Sequence, residues 1–208
     1  MNWPNLLAIC ISAVFHPVLI LFYLCLLSRI PGFLNPELGH PLSTIQIVLV
    51  FAASALIPVL LFTLLRITGL MKSLYMEDRS DRHLPHLLTF GVYLYIGTDQ
   101  KLFFFLPEWL SVMFVGSAVC IALVGLITLF WKISSHMAGM GGFTAWVIFQ
   151  HGSEIENYGF VFGAILTSIL VGIGRLYLKA HNLKQILAGF FLGIVGSSIS
   201  VYFFAGLF

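Results

Sequence analysis

Residues Trp109–Phe130 read WLSVMFVGSAVCIALVGLITLF, 22 consecutive positions without a charged side chain. Wound as a helix at about 1.5 Å per residue, the run spans roughly 33 Å, enough to cross a hydrocarbon core of about 30 Å. Inside a bilayer no water satisfies backbone N–H and C=O groups, so a crossing chain is either a helix or a strand of a closed barrel. The strict in-and-out alternation of a barrel strand is missing here, and the run reads as a transmembrane helix.

Comparable runs lie on both sides of it, at Leu6–Leu27, Ile45–Leu65 and Gln185–Phe208. A shorter, uncharged run at Tyr158–Gly174 carries Gly159, Gly163 and Gly172, which suit close helix packing. Two weaker stretches complete the set. Leu84–Leu106 is interrupted by Asp99, Gln100 and Lys101, and Met137–Gly152 is brief and glycine-rich. The first run follows no Lys or Arg and ends without a small-residue cleavage pattern, so it reads as a retained span and not a signal peptide. The pattern predicts an all-α fold, a polytopic transmembrane helical bundle of six to seven spans, with residues 1–208 forming a single integral membrane domain.

Composition agrees with lipid as the solvent. Of 208 residues 60% are apolar and only 9% charged, and the mean hydropathy of +1.03 excludes an ordinary water-facing surface. Cys10, Cys25 and Cys120 sit inside apolar runs without metal-ligand spacing and read as packing residues. The small net charge of +2 gives no reason to expect a nucleic-acid partner.

The charges that exist are clustered. With seven crossings, segments 66–86, 131–136 and 175–184 all emerge on one side, bringing Arg66, Lys72, Arg79, Arg82, Lys132, Arg175, Lys179 and Lys184 together against Arg29 and Lys101 on the other. By the positive-inside rule the shared side is cytoplasmic. A phosphate site would itself recruit cations, but setting aside Lys72, Arg79, Arg82 and Arg175 still leaves four against two. The expected location is therefore an integral membrane protein of a bacterial inner (cytoplasmic) membrane, with its polar site leaning to the cytoplasmic face.

Three polar clusters offer chemistry. The first, Lys72 to His86, reads as an interfacial helix on which Lys72 and Arg79, seven apart, and Arg82 form a cationic stripe. The acids Glu77, Asp78 and Asp81 in the same segment could instead pair with those arginines on a solvated face. In the second, His136 follows Ser134 and Ser135 and precedes Gly139, Gly141 and Gly142, placing an imidazole and hydroxyls where backbone can approach a ligand. The third runs from Gly174 to Gln185. Arg175 leaves one helix, while His181 and Gln185, four apart, share a face of the next, so a guanidinium fork, an imidazole and an orienting amide can meet. Asn182 and Gln185 also have the spacing of a capping box.

Taken together the clusters resemble the type 2 phosphatidic acid phosphatase superfamily of membrane lipid phosphatases, related to the vanadium haloperoxidases. Lys72 and Arg79 match the spacing of its first motif, Ser134 and His136 hold places in its second, and Arg175 and His181 have the spacing of its third, all within 72–185. Ser80, Ile133, Ser135, Gly174 and Gln185 depart from the pattern, and Gln185 stands where the family has an Asp that orients the nucleophilic imidazole. Arg82 is an alternative first-motif arginine.

The resemblance implies a metal-independent lipid phosphate or diphosphate phosphatase without a cofactor, acting on a membrane lipid such as a phosphatidic acid or polyprenyl phosphate. His181 would form a phosphohistidine, oriented by Gln185. His136 would be the general acid and base, and Lys72, Arg79, Arg82, Ser134 and Arg175 would hold phosphate oxygens. A catalytically silent relative that binds lipid phosphate or scaffolds a partner is the alternative. A transporter is a further class, disfavoured because the spans carry almost no charge apart from His16 beside Pro17. The sequence leaves the oligomeric state open.

Overall fold

The computed structural model describes residues 3–36, 40–74, 76, 78–99, 106–151 and 158–204. Glu77, Gln100, Lys101, Glu154 and Glu156 fall outside them. The described residues are helical, with no strand: α1 (Trp3–Val14), α2 (Ile20–Leu27), α3 (Thr44–Phe51), α4 (Ile57–Ile67), α5 (Ser80–Thr98), α6 (Glu108–Thr128), α7 (Ser135–His151), α8 (Tyr158–Tyr177) and α9 (Leu183–Phe204). Four stretches are long and apolar enough to cross a membrane: Thr44–Ile67, α6, α8 and Leu183–Tyr202. The pair α1–α2, bent by 44°, makes a fifth if counted as one span. This is an all-α protein whose several long apolar helices are consistent with a membrane bundle. The weaker stretches expected to cross form α5 and α7, helices of 19 and 17 residues.

Prolines set the breaks. Pro17 follows His16, whose Nδ1 accepts from the Val18 N–H at 3.5 Å and caps a short 3-10 turn that separates α1 from α2. Between α3 and α4 the chain widens into a π-helical turn at Ala52–Leu56, just before Pro58. Proline cannot donate to the carbonyl four residues back, so that of Ser54 is left free. The hydroxyl of Tyr93, buried in α5, supplies the missing donor at 2.7 Å.

The helix expected across 66–86 is formed only from Ser80 onward, as the start of α5. Gly69, at φ +77°, closes α4 with its N–H on the Arg66 carbonyl, and helix resumes only at Ser80. In the connection both carboxylate oxygens of buried Asp81 accept backbone N–H groups, from Lys72 at 2.9 Å and Ser73 at 3.1 Å. Lys72 and Arg79 therefore share no helical face.

Helix α6, lined on its inner side by fully buried Leu110, Phe114 and Ala118, packs against α5 and α9. The closest approach is between α7 and α9. A Cβ on Gly141 would overlap the Phe190 carbonyl, and one on Gly193 the Ala138 carbonyl. Gly189 and Gly193 form a small-xxx-small pair that lets the two backbones touch. The glycines expected to pack closely in α8 behave otherwise: Gly159 and Gly163 face open space, and Gly172 makes ordinary contacts with Ile186 and Met137.

Candidate functional site

Three connections meet at one end of the bundle and are tied by hydrogen bonds. Arg79 Nη1 donates to the Phe130 carbonyl at 2.7 Å, at the C-terminal end of α6 where a cation suits the helix dipole. Arg82, in the first turn of α5, donates from Nε to the Met76 carbonyl at 2.8 Å and from Nη1 to the Ile133 carbonyl at 3.2 Å. The Ser134 N–H donates to the Gln185 carbonyl at 3.4 Å, joining the second connection to the third. The polar segments around 72–82, 130–136 and 175–185 are thus held as one assembly.

Behind this assembly lies a cavity of about 360 Å³, within the range of small-ligand sites. Its polar end is formed by Arg82, Arg175, His181, His136, His16 and His86. No Asp or Glu is among its described lining residues. Arg175, at the end of α8, keeps a buried Nε without a hydrogen-bond partner. An unsatisfied guanidinium N–H beside a second guanidinium is a costly arrangement, and an anion between them would relieve it.

His181 is 7% exposed, just past the left-handed turn at Lys179 (φ +53°). Its Nδ1 lies 3.1 Å from Gln185 Oε1. That oxygen also accepts the Asn182 N–H at 3.2 Å, and Asn182 Oδ1 in turn accepts the Gln185 N–H at 3.0 Å. The capping box and the oriented imidazole therefore coexist. Because Gln185 Oε1 is the acceptor, the proton sits on Nδ1 of His181 and the ring's Nε2 carries the lone pair. Burial first, and then the Arg82 charge, push the His181 pKa down to about 4; the hydrogen bond to Gln185 opposes this only in part. The ring is neutral at physiological pH.

Elsewhere the predicted site residues separate. His136 lines the cavity, but its Nε2 donates to the Ser12 carbonyl at 3.1 Å, which ties α7 to α1. Ser134 is fully buried, and its Oγ accepts the Met137 N–H at 3.4 Å, capping α7. Lys72 and Arg79 are exposed and stand apart from the cavity lining. Arg82, Arg175, His136 and His181 are brought together, with Gln185 bonded to His181.

Two further histidines belong to this end. His16 packs edge-on against His136 with ring centroids 5.1 Å apart, and His86 Nε2 lies 3.3 Å from Ser135 Oγ. His86 was legible, four residues past Arg82 on the same face of α5. Nothing in the sequence joins His16 to the other clusters, since a chain separation of 120 residues is closed only by the packing of α1 on α8 and of the turn at Pro17–Leu19 on α7.

No family model matches the chain, and no curated protein or solved structure does so either. The strand-free helical fold of the described residues corrects the resemblance to the type 2 phosphatidic acid phosphatases, and with it the enzyme reading and the phosphohistidine hydrolase mechanism. The described residues are helical with no strand or sheet core, and no group of three or more His, Cys, Asp or Glu side chains among them is placed to hold a metal ion. Matching motif spacings placed Lys72, Arg79 and Ser134 at one centre, but a broken helix and a helix cap take those residues elsewhere.

Proposed function

We propose that this chain is an integral membrane protein that binds the phosphate headgroup of a membrane lipid, without hydrolysing it, at the polar end of its helical bundle. The observation that carries this reading is the cavity on which Arg82 and Arg175 converge, with no acid among its described lining residues and the buried Arg175 Nε lacking a partner. Arg175 and Arg82 grip the phosphate oxygens, neutral His181 accepts from a protonated oxygen through Nε2, and Gln185 holds that ring in place. Arg82 takes the place read for the first-motif arginine, and Lys72 and Arg79 form an outer cationic rim. His136 and Ser134 shape the pocket through the helix ends they hold.

In this reading residues 1–208 make one integral domain, α5 and α7 complete six or seven crossings, and the site faces the cytoplasm of a bacterial inner membrane. Support for the crossings is that a helix of 17 to 19 residues spans about 26 to 29 Å, close to the hydrocarbon thickness.

The test is binding of phosphatidic acid and of diacylglycerol, its dephosphorylated counterpart, to the protein in nanodiscs. Phosphatidic acid should bind more tightly, and Arg175→Gln should weaken it by about 10- to 100-fold, the equivalent of one lost charge-assisted hydrogen bond. Arg82 is the poorer probe, because it also ties two connections together. Equal binding of both lipids would refute the reading. Release of phosphate that disappears in His181→Ala would refute the absence of hydrolysis.

A further inference from the structure

The cavity does not stop at the arginines. On α6 its wall is a stripe of successive turns, Val124, Cys120, Gly116 and Val112, and on α7 a second stripe runs the opposite way from His136 through Gly139 and Gly142 to Trp146. From Val124 to Val112 is twelve residues, a helical rise of about 18 Å. Beyond the polar end no charged side chain lines it among the described residues.

Most of the hydroxyls that line it are engaged by the protein, those of Thr63, Thr89 and Tyr93 on backbone carbonyls. Ser200 Oγ donates to the Ser197 carbonyl at 2.7 Å, and Ser197 Oγ lies 3.7 Å from Cys120 Sγ. Such a wall offers little to water or ions and suits hydrocarbon. It is also narrow. A Cβ on Gly142 would come within 2.8 Å of Ser197 Oγ, and one on Gly116 would overlap Ser200 Oγ, so helix α9 closes tightly on α6 and α7 along the shaft.

At its far end the shaft meets Trp146, whose ring stacks on Trp109 with centroids 6.0 Å apart. A second depression begins on the other side of Trp146. It shares Trp146, Ser197 and Val201 with the shaft and adds exposed Phe149, Ser198 and Tyr202, on the outward side of α7 and α9.

Resting on the phosphate-binding reading for the headgroup, we propose that the shaft takes a single hydrocarbon chain of the bound lipid, threading it through the bundle to a lateral portal between α7 and α9 gated by Trp146. The occupant is the ligand's own tail because the shaft is continuous with the cationic end and apolar beyond it. Trp146 sets how much chain the interior holds before the tail must leave sideways into the bilayer.

The experiment uses monoalkyl phosphates bearing a terminal diazirine, photolysed with the whole protein in nanodiscs and mapped by mass spectrometry. Long chains should label Trp146, Ser197 or Val201. Label confined to outward-facing residues such as Leu64, Leu87 or Ile169 would overturn the proposal. In a binding series, Ser197→Trp should weaken long-chain alkyl phosphates at least tenfold and leave inorganic phosphate unchanged; equal weakening of both would also overturn it. The crosslinking needs no variant, so a poorly folding Ser197→Trp does not decide the matter. A long-chain alcohol with the same diazirine separates the two readings. If it labels Trp146 while no phosphate binds, the headgroup reading fails and the shaft stands.

Discussion

The side-chain amide oxygen of Gln185 accepts from Asn182 N–H and from His181 Nδ1–H at once, so a residue in the first turn of α9 also fixes the tautomer of the buried imidazole. Burial and Arg82 hold the His181 pKa at about 4, below the usual 6.5 of an unfolded chain. For a depressed pKa the stabilising contribution is full above pH 6.5 and is lost as the pH falls through 4, because below that the folded state must bury a second charge beside Arg82. An anion between the arginines offsets that repulsion and raises the pKa. Binding then takes up a proton, and affinity must rise as the pH falls from 7 towards 4. An alkyl sulfate, whose own charge is constant through this window, should therefore bind more tightly at pH 5 than at pH 7, and His181→Asn should flatten the dependence. An unchanged His181 imidazole titration on saturation with the sulfate, followed by NMR, would contradict this. The pairing of His181 with Gln185 was readable from the i, i+4 spacing alone. The roles of Ser134 and His136 were not, because a cap and a bond to the Ser12 carbonyl depend on where neighbouring chain ends arrive.

Helices with strong apolar runs were legible as elements because hydrophobicity is their only requirement, and α6, α8 and α9 appear where those runs stand. The segment 66–86 was misread for a physical reason: charge spacing cannot report a backbone break, and Gly69 at φ +77° with the Asp81 clamp replaces the expected helix by an irregular connection. Glycine content misled similarly. The sequence shows where side chains are absent but not which of those positions a neighbour occupies, and the tight contacts fall in α5, α6, α7 and α9 and not in α8. Gly193→Ala should accordingly drive its methyl into the Ala138 carbonyl and cost about 1–3 kcal/mol by overpacking. Gly163→Ala, facing open space, should be neutral or slightly stabilising through its better helix propensity. Denaturant titration in detergent micelles, monitored by tryptophan fluorescence, compares the two; equal midpoints would contradict the assigned α7–α9 contact.

Across the whole molecule, sidedness follows from one helix and one hydrogen bond. Helix α6 is long and apolar enough to cross, and a crossing there puts Glu108 in its first turn and Phe130 just past its end on opposite faces. Arg79 is bonded to the Phe130 carbonyl, which fixes the start of α5, including exposed Ser80, on the Phe130 face. That face also receives Arg82, Lys132, Arg175, Lys179 and Lys184, while Glu108 marks the other. Positive charge near span ends is retained on the cytoplasmic side during insertion, so the cavity's polar end should open inward. With its three cysteines replaced, the chain carrying Ser80→Cys should resist a membrane-impermeant maleimide in intact cells and react once the membrane is opened. Glu108→Cys should react in intact cells. The reverse pattern would keep the bundle and move the site to the outer face, where its cations would be explained by the anion they hold and not by insertion. Labelling of both positions from one side would mean that α6 does not cross, and the assignment of a membrane bundle built around it would have to be abandoned.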